Sequence, residues 1–227
     1  MSILTDLYSL LIPRCCPVCR NRLSPNESFI CLECSVAWPS CGIEDISDNR
    51  MVRQLWSFFP VVYGASLIRY RSNSPFHNIL MSIKYNGHTD LAETLGRWGA
   101  HEFDTSPLRE WTDVVVPVPL SRLRRLRRGY NQALMIARGV ADEYQVPVAQ
   151  LLRRKESPTQ KHLSAHERLT NVQGIYSARI PEHWKGKHIL LVDDVMTTGA
   201  TLSACAQAIL DADPSASVSV FTLALSE

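Results

Sequence analysis

Apolar positions along the chain fall into two kinds of pattern. Four stretches read as strands: "VVYGASLIRY" (61–70), "DVVVPVPL" (113–120), "ILLV" (189–192) and "ASVSVFTLAL" (216–225). The run 189–192 is continuously apolar, as in a strand buried on both faces of a parallel sheet. Other stretches carry helical spacing. "FHNILMSIKYNG" (76–87) reads as a helix stopped by Asn86-Gly87, and "DLAETLGRWGAHEF" (90–103) sets Leu91, Leu95 and Trp98 on one side. "YNQALMIARGVADEY" (130–144) turns Leu134, Ala137, Val140 and Ala141 inward. "ATLSACAQAILDAD" (200–213) does the same with Leu202, Ala206, Ile209 and Leu210, and Pro214 ends it. Strands alternating with helices predict an α/β fold, a mostly parallel sheet flanked by helices. The polar stretch 42–54, "GIEDISDNRMVRQ", reads as a linker. It predicts an N-terminal module over residues 1–45 and a larger domain over residues 55–227.

The loop after 189–192 carries the most chemistry. Asp193, Asp194, Val195, Met196, Thr197, Thr198, Gly199, Ala200 and Thr201 lie between a strand's carboxyl end and a helix. That is where ligands bind in open α/β sheets. Gly199 allows a tight turn and close backbone approach. The hydroxyls of Thr197, Thr198 and Thr201, beside backbone N–H groups and the positive end of a helix dipole, make an anion site, most naturally for a phosphate. Two carboxylates would repel that phosphate, so they must face something else: sugar hydroxyls or Mg²⁺. A ligand with a phosphate, a ribose diol and a metal-bound diphosphate satisfies all of these groups. Neither GxxxxGK[ST] nor GxGxxG occurs, so the loop is neither a P-loop nor a dinucleotide fingerprint.

Two further segments bear on such a site. "SRLRRLRRGYNQ" follows the strand 113–120 as a loop. It places Arg122, Arg124, Arg125, Arg127 and Arg128, five guanidinium groups in seven residues, where the ligand crevice is expected. The run suits a diphosphate or a nucleic-acid backbone, or else a solvated surface. "SPTQKHLSAHERLTN" (157–171) is long and polar, with a capping-box pattern at Ser164-Ala-His-Glu167 that starts a short helix. It reads as a flap that excludes water from a reactive centre, or as an ordinary surface loop.

Seven cysteines change the picture of the N-terminal module. Six lie between Cys15 and Cys41, and Cys205 stands alone. Cys16-x-x-Cys19 and Cys31-x-x-Cys34, eleven residues apart, are two knuckles that can complete a tetrahedral Zn²⁺ site. Arg20, Asn21, Ser24, Pro25 and Asn26 suit the hairpin of a zinc ribbon. Cys15 can replace Cys16 by a one-residue slip, and Cys41 has no CxxC partner because Trp38 stands there. Four sulfur ligands leave no open position, so the site reads as structural, supplying folding energy that so short a module lacks.

Composition adds bounds. The 227 residues, 45% hydrophobic and 20% charged, describe a soluble globular chain. A net charge of +2 confers no global affinity for polyanions. No apolar run is long enough to span a bilayer. "MSILTDLYSLLIP" has Leu4, Leu7, Tyr8 and Leu11 at helical spacing, without a basic start or a cleavage site. A docking helix and a cytoplasmic location are the expectation.

"ILLVDDVMTTGATL" resembles the phosphoribosyl-diphosphate (PRPP) motif of type I phosphoribosyltransferases. The resemblance implies that Asp193 and Asp194 contact ribose hydroxyls and that residues 196–201 cradle the 5′-phosphate. Together with "IKYNG", "VPVPLSRLRRLRRGYNQ" and "TQKHLSAHERLTNV" behind a cysteine module, the chain resembles the ComF/GntX-type family of competence-associated proteins over nearly its whole length. That match adds Lys84, Arg128, Gly129, Asn131, Gln132, Gln160, Ser164, Arg168 and Asn171 to the site. It implies a role in handling incoming single-stranded DNA during natural transformation, or in using DNA as a nutrient. Trp38 departs from the pattern, since many relatives have a further CxxC there. Arg122, Arg124 and Arg125 are then available to DNA, Arg128 to the pocket. Two functional classes follow. One is a PRPP- or nucleotide-binding protein that engages single-stranded DNA or a competence partner. The other is an enzyme using PRPP and Mg²⁺, with Asp193, Asp194, Lys84 and Arg128 as its catalytic groups. No glutaminase half is visible, which argues against an amidotransferase.

Overall fold

The computed structural model describes residues 13–41, 45–85, 87–155 and 174–226. In chain order its elements are α1 (Leu32–Val36), α2 (Arg50–Trp56), β1 (Val61–Tyr70), α3 (His77–Tyr85), α4 (Thr89–Glu102), α5 (Pro107–Trp111), β2 (Val114–Pro117), α6 (Arg122–Arg128), α7 (Gln132–Tyr144), β3 (Leu152–Arg154), β4 (Tyr176–Ala178), a 3₁₀ turn at Glu182–Trp184, β5 (His188–Met196), α8 (Ala200–Ala212) and β6 (Ser217–Ser226). The main sheet has the order β1-β6-β5-β2 and every pairing in it is parallel. The alternation of strands and helices anticipated this architecture.

β5 shows why its sequence is continuously apolar. Leu190 and Val192 point into the core beneath α3, α4 and α7, while Ile189 and Leu191 point into the opposite core beneath α2 and α8. Both faces are covered, so both sets of alternate residues are hydrophobic.

Three segments differ from expectation. The stretch taken for a linker contains α2, whose Met51, Val52 and Leu55 are buried. Asn49 caps it by accepting the Val52 N–H, so apolar spacing hidden among polar residues makes a helix that packs on β1. The arginine run, read as a loop, is the helix α6. Ser121 accepts the Arg124 N–H at its start, and Gly129, at φ 81°, ends it in the left-handed region. No α6 residue is buried, so no apolar stripe announced it. The antiparallel ribbon β3–β4 was not foreseen, because its three-residue strands lie far apart in the chain. The expected N-terminal helix over residues 1–12, the Asn86 stop, and Gln160, Ser164, Arg168 and Asn171 of the 157–171 segment lie outside the described residues.

The cysteine module is fastened to the sheet's edge. Arg69 N–H donates to the Pro39 carbonyl, Ser40 bridges Ile68, and Asn78 Nδ2 donates to the Val18 carbonyl at 3.0 Å. Trp38 stacks at a tilt on Trp98, with centroids 4.4 Å apart, and meets Phe76 edge-on, while Phe29 meets Trp98. Trp38 thus ties the cysteine module to the start of α3 and to α4 by aromatic contact. Among the described residues no helix is long and apolar enough to cross a membrane.

Candidate functional site: an acidic pair, a threonine turn and a four-thiol cluster

The strand β5 does not stop at Val192. Asp193, Val195 and Met196 continue in register with Thr222, Ala224 and Leu225 of β6, so the acidic pair rides on the last turn-free stretch of a central strand. Asp193 Oδ1 accepts the Asp194 N–H at 2.9 Å. Lys84 Nζ, at the end of α3, stands 3.3 Å from Asp194 Oδ2, and both side chains are largely buried. Burial first, and the neighbouring Asp194 carboxylate second, push Asp193 up to about 8. Two carboxylates share this corner with one cation, an arrangement that favours a second cation or a set of hydroxyl donors.

Beyond Met196 the chain turns. Thr197, Thr198 and Thr201 are exposed, and Gly199 is buried at φ 76° as the N-cap of α8. A Cβ there would stand 2.9 Å from Leu55 Cδ2 and meet Met196 Cε at 3.2 Å, so sterics and backbone both require glycine. Gln54 Nε2 donates to the Thr197 carbonyl at 3.0 Å and braces the turn from α2. Met196 is buried in the core beneath α2 and α8, and Val195 packs against the opposite core, so these two offer backbone rather than side chain. Ala200 opens α8, directing the helix's positive end at the threonines.

The α6–α7 junction closes another side. Arg128 Nη1 donates to Gln132 Oε1 at 2.9 Å, and Gln132 is buried. The guanidinium lies over the Tyr85 ring, 5.5 Å from its centroid. Tyr130 donates its hydroxyl proton to the Ile83 carbonyl, tying this junction to α3. Asn131 Nδ2 donates to Val118 O at 3.0 Å, while its buried Oδ1 has no hydrogen-bond partner among the described residues. Arg122, Arg124 and Arg125 are exposed on α6. The structure thus brings Lys84 against Asp194 and joins Arg128, Gly129, Asn131 and Gln132 at one junction linked to α3. Gln54 and Tyr85 carry no sequence signal of their own: Gln54 lies in the polar stretch 42–54, and Tyr85 stands in "IKYNG" with no pattern that marks it apart from Lys84.

The cysteine cluster is separate. The sulfur atoms of Cys16, Cys19, Cys31 and Cys34 all lie within 4.8 Å of one another, with Cys19 and Cys31 at 3.6 Å. Cys15 is exposed and turns its thiol to the Pro13 carbonyl, so the slip that would replace Cys16 does not occur. Cys41 is not part of the group. Burial acts to push the Cys16 thiol up, but N–H groups of Cys19, Cys31 and Val18 outweigh it and hold it at about 7. Burial drives Cys34 the other way. The four can hold a metal ion.

The fold is that of type I phosphoribosyltransferases, and residues 130–226 match the family described as phosphoribosyl transferase domain. Beyond the domain, the chain is a homologue of proteins named for competence and DNA utilization. It is 29% identical over 211 residues to competence protein ComFC of Bacillus subtilis, covering 92% of this chain and 76% of that one. It is 28% identical over 215 residues to DNA utilization protein YhgH of Escherichia coli, covering 88% and 92%. Competence protein F of Haemophilus influenzae is 35% identical over 94 residues, covering 40% of this chain and 41% of that protein. Among solved structures, a glutamine PRPP amidotransferase from Bacillus subtilis aligns at 20% identity with a TM-score of 0.42, over 62% of this chain and 30% of that one, a score too low to bear on function.

Proposed function

We propose that the protein acts in the cytoplasm on incoming DNA or its products, with a pocket for PRPP or a nucleotide at the end of β5. The observation that carries the reading is the corner formed by Asp193, Asp194 and Lys84 above the glycine-capped threonine turn. The turn suits a 5′-phosphate and the carboxylates suit a ribose diol. Mg²⁺ accompanying a diphosphate would find the same carboxylates. Names of homologues over most of the chain support the DNA role. Exposed Arg122, Arg124 and Arg125 on α6 suit the backbone phosphates of single-stranded DNA, and a competence protein is the alternative partner.

The four thiols suit Zn²⁺. Zn–S bonds of about 2.3 Å put tetrahedral sulfurs about 3.8 Å apart, close to the spacing seen. With four sulfur ligands such an ion is structural.

A second reading is catalysed pentosyl transfer. Lys84 beside the acidic pair and Arg128 at the α6–α7 junction favour it, as cations suited to a departing diphosphate. A nucleophile would form a bond to the anomeric carbon as the C–O bond to diphosphate breaks. Calorimetry of the full chain with PRPP and Mg²⁺ tests the pocket, and no heat of binding would overturn it. A diphosphate-release assay across candidate acceptors then separates binder from enzyme.

A further inference from the structure

We propose that the exposed ring of Tyr85 is the stacking platform for the base of a 5′-phosphorylated nucleotide seated in the pocket. The inference rests on the pocket reading above and extends it to the part of the ligand that neither the turn nor the acidic pair addresses.

Tyr85 is the last residue of α3, and its side chain is among the large exposed hydrophobics at 59% exposure. Such a ring on a helix end is ordinarily free to sweep through solvent. Here Arg128 lies over one face, 5.5 Å from the centroid, and Arg128 is itself held at 2.9 Å by buried Gln132. The cation–ring contact fixes the plane of the ring and leaves aromatic surface facing solvent. At 5.5 Å a base does not fit between guanidinium and ring, so it would stack on the open side.

A nucleotide has three parts, phosphate, ribose and base, and the site has a group suited to each. The threonine turn follows the acidic pair along the chain, Lys84 stands 3.3 Å from Asp194, and Tyr85 is the next residue, at the end of α3. In PRPP the diphosphate replaces the base at C1′. The same end of the pocket therefore offers Lys84 and Arg128 to a diphosphate and Tyr85 to a base, and the two ligands compete. Every base has a π-face, so the platform serves any of them. A free nucleotide and the 5′-phosphorylated end of a single strand present the same chemistry.

The test compares adenosine 5′-monophosphate with ribose 5-phosphate, which lacks only the base, on the full chain by calorimetry. Wild type should bind the nucleotide about tenfold tighter, the scale of one base–aromatic stack. Tyr85→Ala should bring the nucleotide down to the level of ribose 5-phosphate and leave ribose 5-phosphate unchanged, and Tyr85→Phe should retain wild-type affinity. A 5′-phosphorylated oligothymidylate that weakens in parallel identifies a strand end as ligand. Weakening of the mononucleotide alone identifies the free nucleotide. Unchanged nucleotide affinity in Tyr85→Ala overturns the platform, as does equal loss of both ligands, which marks a structural role. Failure of wild type to bind ribose 5-phosphate overturns the pocket reading, and the platform with it.

Discussion

Four thiols within 4.8 Å and two adjacent carboxylates pose the same problem, groups that become like charges held close together. The cysteine cluster answers it with a closed shell. Its knuckles, the chain turn 16–20 and the start of α1, face one another and leave room for a single ion. The acidic pair answers it halfway. Lys84 reaches Asp194, while Asp193 keeps a carboxyl raised by burial and by its neighbour. A closed set of donors suits an ion that stays and holds the fold, and an open set suits a ligand that comes and goes. The comparison teaches that how completely a set of donors encloses the space between them separates a site built to hold the fold from one built to receive a ligand.

The contrast breaks most visibly if the closed shell is emptied. Structural Zn²⁺ is worth about 10–16 kcal/mol in small peptides. Cys16→Ser with Cys34→Ser should therefore unfold the module and open the Phe29, Trp38 and Trp98 contacts, moving tryptophan emission to the red. Metal analysis of protein purified without added zinc should find about one ion per chain. No zinc, or full zinc in the double variant, removes the assignment.

At the open set, charge removal should weaken the ligand instead. Asp193→Asn with Asp194→Asn should lower PRPP affinity in Mg²⁺ by at least tenfold, about 1.4 kcal/mol, and unchanged affinity would mean the carboxylates are structural.

Stability should move the other way for Asp193→Asn alone. A free aspartate titrates near 4, and folded Asp193 near 8. Below pH 4 both states are protonated and nothing is lost. As pH rises from about 4 to about 8 the unfolded chain releases a proton that the folded one retains, so folding stability falls across that window. The asparagine avoids this loss, and its melting temperature should exceed wild type at pH 7 but not at pH 4. In wild type, PRPP–Mg²⁺ affinity should tighten from pH 6 to about 8 as Asp193 ionises, a trend that a flat profile would refute.

A smaller effect is expected at α6. Each phosphate contacted on a single strand contributes a log–log salt slope of about −0.7. Arg122→Ala, Arg124→Ala and Arg125→Ala together should flatten the slope by about two units and leave PRPP binding intact, whereas Arg128→Ala should weaken PRPP with little change in slope. Wild type with no salt-sensitive DNA binding would remove the physical basis for single-stranded DNA as the ligand of α6.

Much of this was legible because the signals were local. An apolar run, two acids, a threonine turn and an amphipathic helix are consecutive, and they fold as β5, its loop and α8. The two CxxC pairs also announce themselves, and only three-dimensional spacing could choose Cys16 over Cys15. Contacts between distant segments left no such trace. Lys84 and Asp194 meet across 110 positions, and periodicity carries no information about that. The resemblance supplied Lys84, not the pattern. α2 escaped because seven residues with three buried positions are outweighed by polar flanks, and α6 because a wholly solvated helix has no buried stripe to read.

The place of β6 has a consequence for how the protein comes into being. It is the last strand described and lies inside the sheet, between β1 and β5. Within the main sheet, among the described residues, the strand neighbour of β1 is β6, Val61 pairing with Val218 through Tyr70 with Ser226. During synthesis β1 must therefore wait with its edge unpaired while some 150 further residues are made. Contacts of such sequence separation slow folding, and a waiting apolar strand is open to wrong partners. The docking of the cysteine module along the other edge of β1, through Pro39, Ser40 and Cys41, then acts as a temporary guard: it occupies one edge of the nascent strand long before its permanent neighbour exists.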